Sequence, residues 1–313
     1  MQFYVGVTDY DWFQLHATKP HVDEVNFWRP SSEIPFRALR AGEMFLFKLH
    51  SPRNYIAGGG FFTRFLRLQV SLAWDAFGEG NGARSLEEVR ARISKYRREP
   101  INSHDDSQIG CIVLAEPFFF DEGDWIKAPS DFSLNIVSGK GYTTDDEIGR
   151  RLWQDVTQRL ASLRAPEIDL GPATAAIIEG FRFGEPTLVM PRLGQGAFRV
   201  LVMDAYGRRC AMTGERTLPV LQAAHIRPYS EGGQHELTNG LFLRSDLHTL
   251  FDKGYISVEP AERRILVSRR IHKEFENGHD YYKLDGRTLA PPADPAWFPS
   301  RENLEYHRKA VFH

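Results

Sequence analysis

His225, Asn239 and His248 follow one another at spacings of 14 and 9 residues, with Asp252 four positions beyond the second histidine. Imidazole can take a proton near neutral pH, and imidazole, amide and carboxylate groups can all bind a divalent cation. The largely apolar run from Leu218 to Ala224 predicts a strand ending at His225. Pro228, Gly232 and Gly233 predict a turn, and Asn239-GLFL a returning strand. Ser245 suits the cap of a helix from Asp246 to about Lys253, with Gly254 as its stop. On that helix Leu247, Leu250 and Phe251 form an apolar stripe. His248 and Asp252, four apart, share another face. The pattern places two potential metal ligands on one helix face, opposite a histidine on a hairpin.

The stretch Tyr206-GRRCAMTG, followed by LQAAHIRPYSEGGQHELTNGLFLRSDLHTLFDKG and Tyr255, resembles the HNH nuclease family in its ββα-metal form. The resemblance implies a hairpin and helix around one metal ion and hydrolysis of a phosphodiester bond. It makes His225 the general base and His248 a metal ligand. Asn239 either orients His225 or binds the metal through its amide oxygen; many members place a second histidine one helical turn beyond His248, where this chain has Asp252 as a further candidate ligand. Many members carry a ligand just before the base, where this chain has Ala224. The remaining donors, with water and phosphate, suit one Mg²⁺ or Mn²⁺ ion per site. Many members also hold the motif with four cysteines around zinc. Here Thr213, Arg244 and Leu247 stand where partners of Cys210 would be, so no structural zinc is expected. Upstream, Leu193-GQGAFRVLVMDAYGRRC resembles the lead-in of a subset of HNH restriction enzymes. Phe198, Leu201, Val202, Ala205 and Tyr206 mark an amphipathic helix there, expected beneath the hairpin. Arg199, Arg227, Arg244 and Lys253 are candidate DNA contacts, with ordinary surface pairing as the alternative.

The chain has 313 residues, enough for two domains, and its 42% hydrophobic content supports folded cores. It has no apolar run of about 18 residues, so no membrane span is expected. The start MQFYVGVTDYDW lacks the pattern of a signal peptide, and two cysteines far apart suit a reducing compartment, so a cytoplasmic location is expected. The net charge of −2 divides unevenly. Residues 191–313 carry 18 Lys and Arg against 15 Asp and Glu; residues 1–190 carry 21 against 26. This argues against a broadly basic, nonspecific DNA binder and leaves phosphate contact to local patches such as Arg208-Arg209, Arg263-Arg264 and Arg269-Arg270.

Residues 1–163 read as a mixed α/β unit. Phe3-YVGVT predicts a first strand, and Phe45-LFKLH and Tyr55-IAGGGFF a pair joined through Ser51-Pro-Arg-Asn54. Ile109-GCIVL and Phe118-FF predict further strands. Ser85-LEE opens a helix with a capping box and an apolar face of Leu86, Val89, Ile93 and Tyr96. Thr144-DDE opens another, running to about Leu163 along Ile148, Leu152, Val156 and Leu160. The strand order around Arg40-AGEMFLFKLHSPRNYIAGGGFF resembles the PUA-like superfamily of small β-barrels, which includes the EVE, ASCH, YTH and SRA domains. Several of these bind a modified base flipped out of the duplex. The resemblance implies a base pocket, here assigned to Asn26, Trp28, Asn54 and Trp125.

The expected fold is therefore α+β. A PUA-like β-barrel with flanking helices occupies residues 1–163, a Pro- and Gly-punctuated linker 164–191, and an HNH domain 192–313. The expected activity is cleavage of modified double-stranded DNA, by a homodimer or by successive nicks. Two alternatives stay open. One is a sequence-specific HNH nuclease; the other is a DNA-binding module with a decayed nuclease site, which Ala224 keeps in view.

Overall fold

The computed structural model describes the whole chain except residues 20, 98–105, 134, 163–170 and 184–188. It divides into two compact units, Met1–Gly194 and Gln195–His313. The expected linker falls largely in the first unit: residues 172–183 of it are a helix there, while 164–170 and 184–188 lie outside the described residues. No helix among the described residues is long and apolar enough to cross a membrane.

The first unit contains β1 (Gln2–Thr8), α1 (Tyr10–Ala17), β2 (Glu24–Arg29), β3 (Met44–Leu49), β4 (Tyr55–Gln69), α2 (Val70–Phe77), α3 (Leu86–Arg97), β5 (Gln108–Phe119), β6 (Ile126–Lys127), β7 (Gly139–Thr143), α4 (Glu147–Ser162) and α5 (Pro172–Phe183). Its strands form one mixed sheet in the order β2-β5-β4-β3-β1-β7, with β6 beside β4. β1 and β3 are parallel; the other pairs are antiparallel. The barrel expected from the sequence is not closed by strand pairing among the described residues: β2 and β7 remain the two ends of the path.

Every residue of β3 is buried, and the strand's alternation splits the core. Met44 and Leu46 pack with Phe3 and Val5 against Leu152, Val156 and Leu160 of α4 and Ile177 and Ile178 of α5. Phe45 and Phe47 face the opposite way, toward Trp12 and Phe13 of α1, Phe62 and Leu114. Asp146, not Thr144, caps α4 by accepting the Gly149 N–H at 2.7 Å, and Ile148 is 38% exposed, outside the stripe predicted for it. Half of the expected capping box forms: Ser85 Oγ accepts the Glu88 N–H, while the Glu88 carboxylate accepts the Arg84 N–H, one residue before the cap. The Gly58–Gly60 segment coincides with a register shift between β4 and β5.

The second unit contains α6 (Gln195–Ala205), β8 (Leu221–His225), β9 (Gly240–Arg244), α7 (Ser245–Asp252), β10 (Ile256–Val258), β11 (Ile265–Val267), α8 (Arg270–Phe275), α9 (His279–Tyr282) and α10 (Arg301–Tyr306). β8 and β9 pair antiparallel, with His225 opposite Gly240. Helix α6 lies so close beneath them that a Cβ on Gly240 would come 2.5 Å from Val202 and 3.1 Å from Phe198. Gly254, at φ +71°, ends α7 where only glycine turns easily. Inside this unit His307, buried and stacked on Phe251 at 3.6 Å, bonds through Nε2 to the Phe251 carbonyl and through Nδ1 to Ser257 Oγ. That anchors the last turn of α7. Burial pushes the His307 pKa down to about 4, which keeps the ring neutral for these two bonds.

Candidate functional site

The hairpin β8–β9 and helix α7 carry the residues singled out by spacing. His225 ends β8 with its ring flat against Phe198 of α6, centroids 3.9 Å apart and planes within 9°. Burial, reinforced by charge repulsion from His235 and His248, pushes its pKa down to about 4. It is therefore unprotonated at neutral pH, the state a base requires. Its Nε2 lies 2.9 Å from Nδ1 of His235, a residue outside the spacing pattern of the motif.

Asn239 is buried, and its amide is fully engaged with the backbone. Oδ1 accepts the Arg227 N–H at 2.9 Å, while Nδ2 donates to the carbonyls of Arg227 and Gln234 at 2.9 and 3.0 Å. One side chain thus ties both ends of the loop between the strands. The loop closes tightly, since a Cβ on Gly233 would fall 2.0 Å from the Arg227 carbonyl oxygen.

His248 and Asp252 meet on α7, with Nε2 and Oδ2 3.2 Å apart. Nδ1 of His248 lies 2.8 Å from Gln222 Oε1 on β8. An amide oxygen only accepts, so Nδ1 donates to Gln222, and Nε2 is the nitrogen that faces the carboxylate. An imidazole nitrogen and a carboxylate oxygen at this separation can share a proton or a cation. This donor pair suits a hard divalent cation whose other positions are taken by water or phosphate oxygens. Among the described residues no group of three or more His, Cys, Asp or Glu side chains is arranged to hold a metal.

The four expected DNA-contacting cations differ in placement. Arg244 forms a two-pronged pair with Asp246. Arg227 donates to the Glu231 carbonyl at 2.7 Å and lies over the Tyr306 ring, 4.8 Å from its centroid. Lys253 is exposed at the end of α7, and Arg199 is half-buried on α6.

Within the first unit lies a cavity of about 490 Å³. Tyr4, Phe27, Trp28, Phe36, Phe45 and Tyr96 supply its aromatic walls; Asp9, Arg29, His50 and Arg92 supply its polar groups. Tyr96 donates its hydroxyl to the Asp9 carboxylate, at 2.6 Å from Oδ1, and His50 Nε2 lies 3.6 Å from the same oxygen. Burial and the Asp9 charge together raise the Tyr96 pKa, so this hydroxyl stays a donor. Of the four residues assigned to a base pocket from sequence, only Trp28 lines this cavity. Asn26 is fully buried and donates to Asn81 Oδ1 at 2.9 Å. Asn81 in turn accepts the Trp28 indole N–H on its carbonyl, so the two asparagines steady Trp28 without lining the cavity themselves. Asn54 accepts from Lys48 Nζ at 2.9 Å, and Trp125 donates to the Phe120 carbonyl while packing edge-on against Tyr10 and Phe13. Tyr96, expected on a core-facing stripe of α3, stands 41% exposed at the cavity.

Residues 210–259 match the family model described as HNH endonuclease. No curated protein matches the chain. Among solved structures, the ASCH protein from Zymomonas mobilis is 14% identical with a TM-score of 0.30, covering 52% of this chain and 96% of its own. A second, "Modification dependent TagI restriction endonuclease", is 11% identical with a TM-score of 0.27, covering 94% of this chain and 77% of its own. Both scores are too low for either likeness to establish a shared fold. The family match falls on the hairpin and helix that carry His225, Asn239 and His248, so residues 210–259 of this chain form an HNH endonuclease domain.

Proposed function

We propose that the enzyme cuts double-stranded DNA carrying a modified base, with hydrolysis at His225 and recognition in the aromatic cavity of the first unit. The observation that supports the recognition half is the cavity's chemistry. A base flipped out of a duplex needs rings to stack on and a partner for its pairing edge. Tyr4, Trp28 and Tyr96 offer rings, and Asp9 offers a carboxylate. The volume falls within the roughly 300–1,000 Å³ typical of small-molecule sites. A carboxylate is the natural acceptor for the exocyclic amine of cytosine, and the apolar Phe27, Phe36 and Phe45 suit an added methyl or hydroxymethyl group. A methylated or hydroxymethylated cytosine is the favoured ligand.

In the hydrolytic half, neutral His225 takes a proton from the attacking water. His248 and Asp252 would hold a Mg²⁺ or Mn²⁺ ion, which when bound stabilises charge on the phosphate and the leaving oxygen. Gln222 fixes the ring orientation of His248. Asn239 acts through the loop it ties rather than as a ligand. Each chain has one such site, so cutting both strands takes two copies of the chain or two successive nicks.

The test is plasmid cleavage in Mg²⁺ or Mn²⁺ with unmodified DNA and DNA carrying methylcytosine, hydroxymethylcytosine, methyladenine or phosphorothioate. Cutting confined to the modified cytosines is expected. Equal cutting of every plasmid would leave a sequence-specific nuclease and remove the base-reading role. No metal-dependent cutting of any plasmid would point to a decayed site.

A further inference from the structure

The loop joining the two strands of the nuclease hairpin brings a second imidazole against His225. We propose that His235 is a positioning residue for the general base: its Nδ1 accepts the Nε2–H of His225 and so leaves the lone pair on Nδ1 of His225 for water. The inference rests on the general-base reading of His225.

Three observations hold the pair in one geometry. The Nε2 to Nδ1 separation is 2.9 Å. Phe198 covers one face of the His225 ring at 3.9 Å, which resists its rotation. His235 is itself pinned, stacked on Tyr229 at 4.9 Å with planes within 13°, and its neighbour Gln234 is held through its carbonyl by Asn239. The amide of Asn239 thereby reaches the base at second hand, through the loop.

A neutral imidazole has one donor and one acceptor nitrogen, and the partner on one nitrogen decides the state of the other. With His235 accepting at Nδ1, its own proton sits on Nε2. His225 then keeps its proton on Nε2 and cannot present a protonated Nδ1 to water. In the reaction a water O–H bond breaks and the proton goes to Nδ1 of His225. The hydroxide oxygen bonds to phosphorus, the bond from phosphorus to the leaving oxygen breaks, and that oxygen takes a proton from solvent water. His225, now charged, keeps its Nε2–H bond to His235 until it returns the Nδ1 proton to solvent.

The full chain is assayed on whichever plasmid the wild type cuts best, with kcat and KM separated and melting followed. Three variants are compared. His235→Phe keeps a ring on Tyr229 but has no acceptor. His235→Asn places an amide oxygen near the former Nδ1. His225→Ala tests the underlying reading. His235→Phe is expected to lower kcat roughly 10- to 100-fold, in the range of lost orienting partners, with KM and melting unchanged. His235→Asn should recover most of that rate. Wild-type kcat in His235→Phe overturns the proposal, as does His235→Asn being equally slow. Cutting retained by His225→Ala would be a different failure, that of the general-base reading itself.

Discussion

The groups of the proposed nuclease site lie between Gln222 and Asp252 on one hairpin and one helix. The walls of the cavity come instead from Tyr4 and Asp9 near the start of the chain, Trp28 on β2, Phe45 on β3, Tyr96 on α3 and Ser138 before β7. The first is assembled by local chemistry: a strand end, a loop tied by Asn239, a helix with two residues one turn apart. The second exists only when a sheet and two helices have assembled. Local sites are fragile to single changes in chemistry but indifferent to distant ones. Distributed sites tolerate the loss of one wall and respond to whatever loosens their scaffold.

The sharpest test of the local site is His225→Ala. General bases typically contribute 10²- to 10⁴-fold, so kcat should fall by about that factor while DNA affinity stays. Because burial holds the His225 pKa down at about 4, its base form is present at neutral pH and is lost as pH falls toward that value. The wild-type rate should therefore decline on the acid side, and a binding assay at the same pH should show no parallel loss. A comparable loss of binding in His225→Ala would mean that the site also holds the cavity's function, breaking the division of labour.

Gln222→Leu comes next. It removes the acceptor at His248 Nδ1 without touching a metal donor. Loss of such a partner costs roughly 10- to 100-fold in metal affinity or activity, so the Mg²⁺ or Mn²⁺ concentration for half-maximal cutting should rise by that factor. Saturating metal should restore most of the rate. A deficit that metal cannot cure would place Gln222 in the chemistry itself.

On the other side of the comparison, Trp28→Ala and Asp9→Asn should change which DNA is cut, not how fast. Base stacking on an aromatic ring contributes about 1–3 kcal/mol, and a good base-edge contact a similar amount. Each variant should thus lose about that much preference for the modified plasmid, read as the ratio of kcat/KM values, with kcat at saturating DNA unchanged. An unchanged ratio in both would take the cavity out of recognition.

The two sites differed equally in how far they could be read from sequence. The hairpin and α7 follow from an apolar run, turn glycines and helical spacing within one short window, so His225, Asn239 and His248 stand out together. Gln222 and His235 do not, because their importance arises only when the strand and loop bring them within 2.9 Å of the two histidines. In the first unit periodicity predicts that Tyr96 points inward with Val89 and Ile93. It cannot say whether a helix face meets packed core or a hollow, and at Tyr96 it meets a hollow. Asp9 sits just before α1 with no cap hydrogen bond, so nothing local marks it. Asn54 and Trp125 lie near strand ends, yet their side chains turn toward Lys48 and toward Tyr10 and Phe13. The open path from β2 to β7 was hidden for the same reason: strand order and closure depend on long-range pairing.

The smallest expected effect separates distributed from local construction most cleanly. Ser85 lies outside the cavity, but it caps the helix that brings Arg92 and Tyr96 to it. Its partner Glu88 also holds Arg92, at 2.6 Å. Replacing a serine cap by alanine costs about 1 kcal/mol of helix stability. In Ser85→Ala the first turn of α3 should open more often, and Tyr96 should leave Asp9 more often with it. Amide exchange across α3 should quicken by about fivefold, the equivalent of that energy, and KM for modified DNA should rise by no more than the same factor. Exchange in β8, β9 and α7, and kcat at saturating DNA, should not move, since none of the cap's partners lies in that unit. If exchange in α7 quickened as well, the two units would be coupled in stability and the local site would not be local in energy. If α3 loosened with no change in KM, Tyr96 and Arg92 would be scaffolding around a cavity that the substrate does not enter.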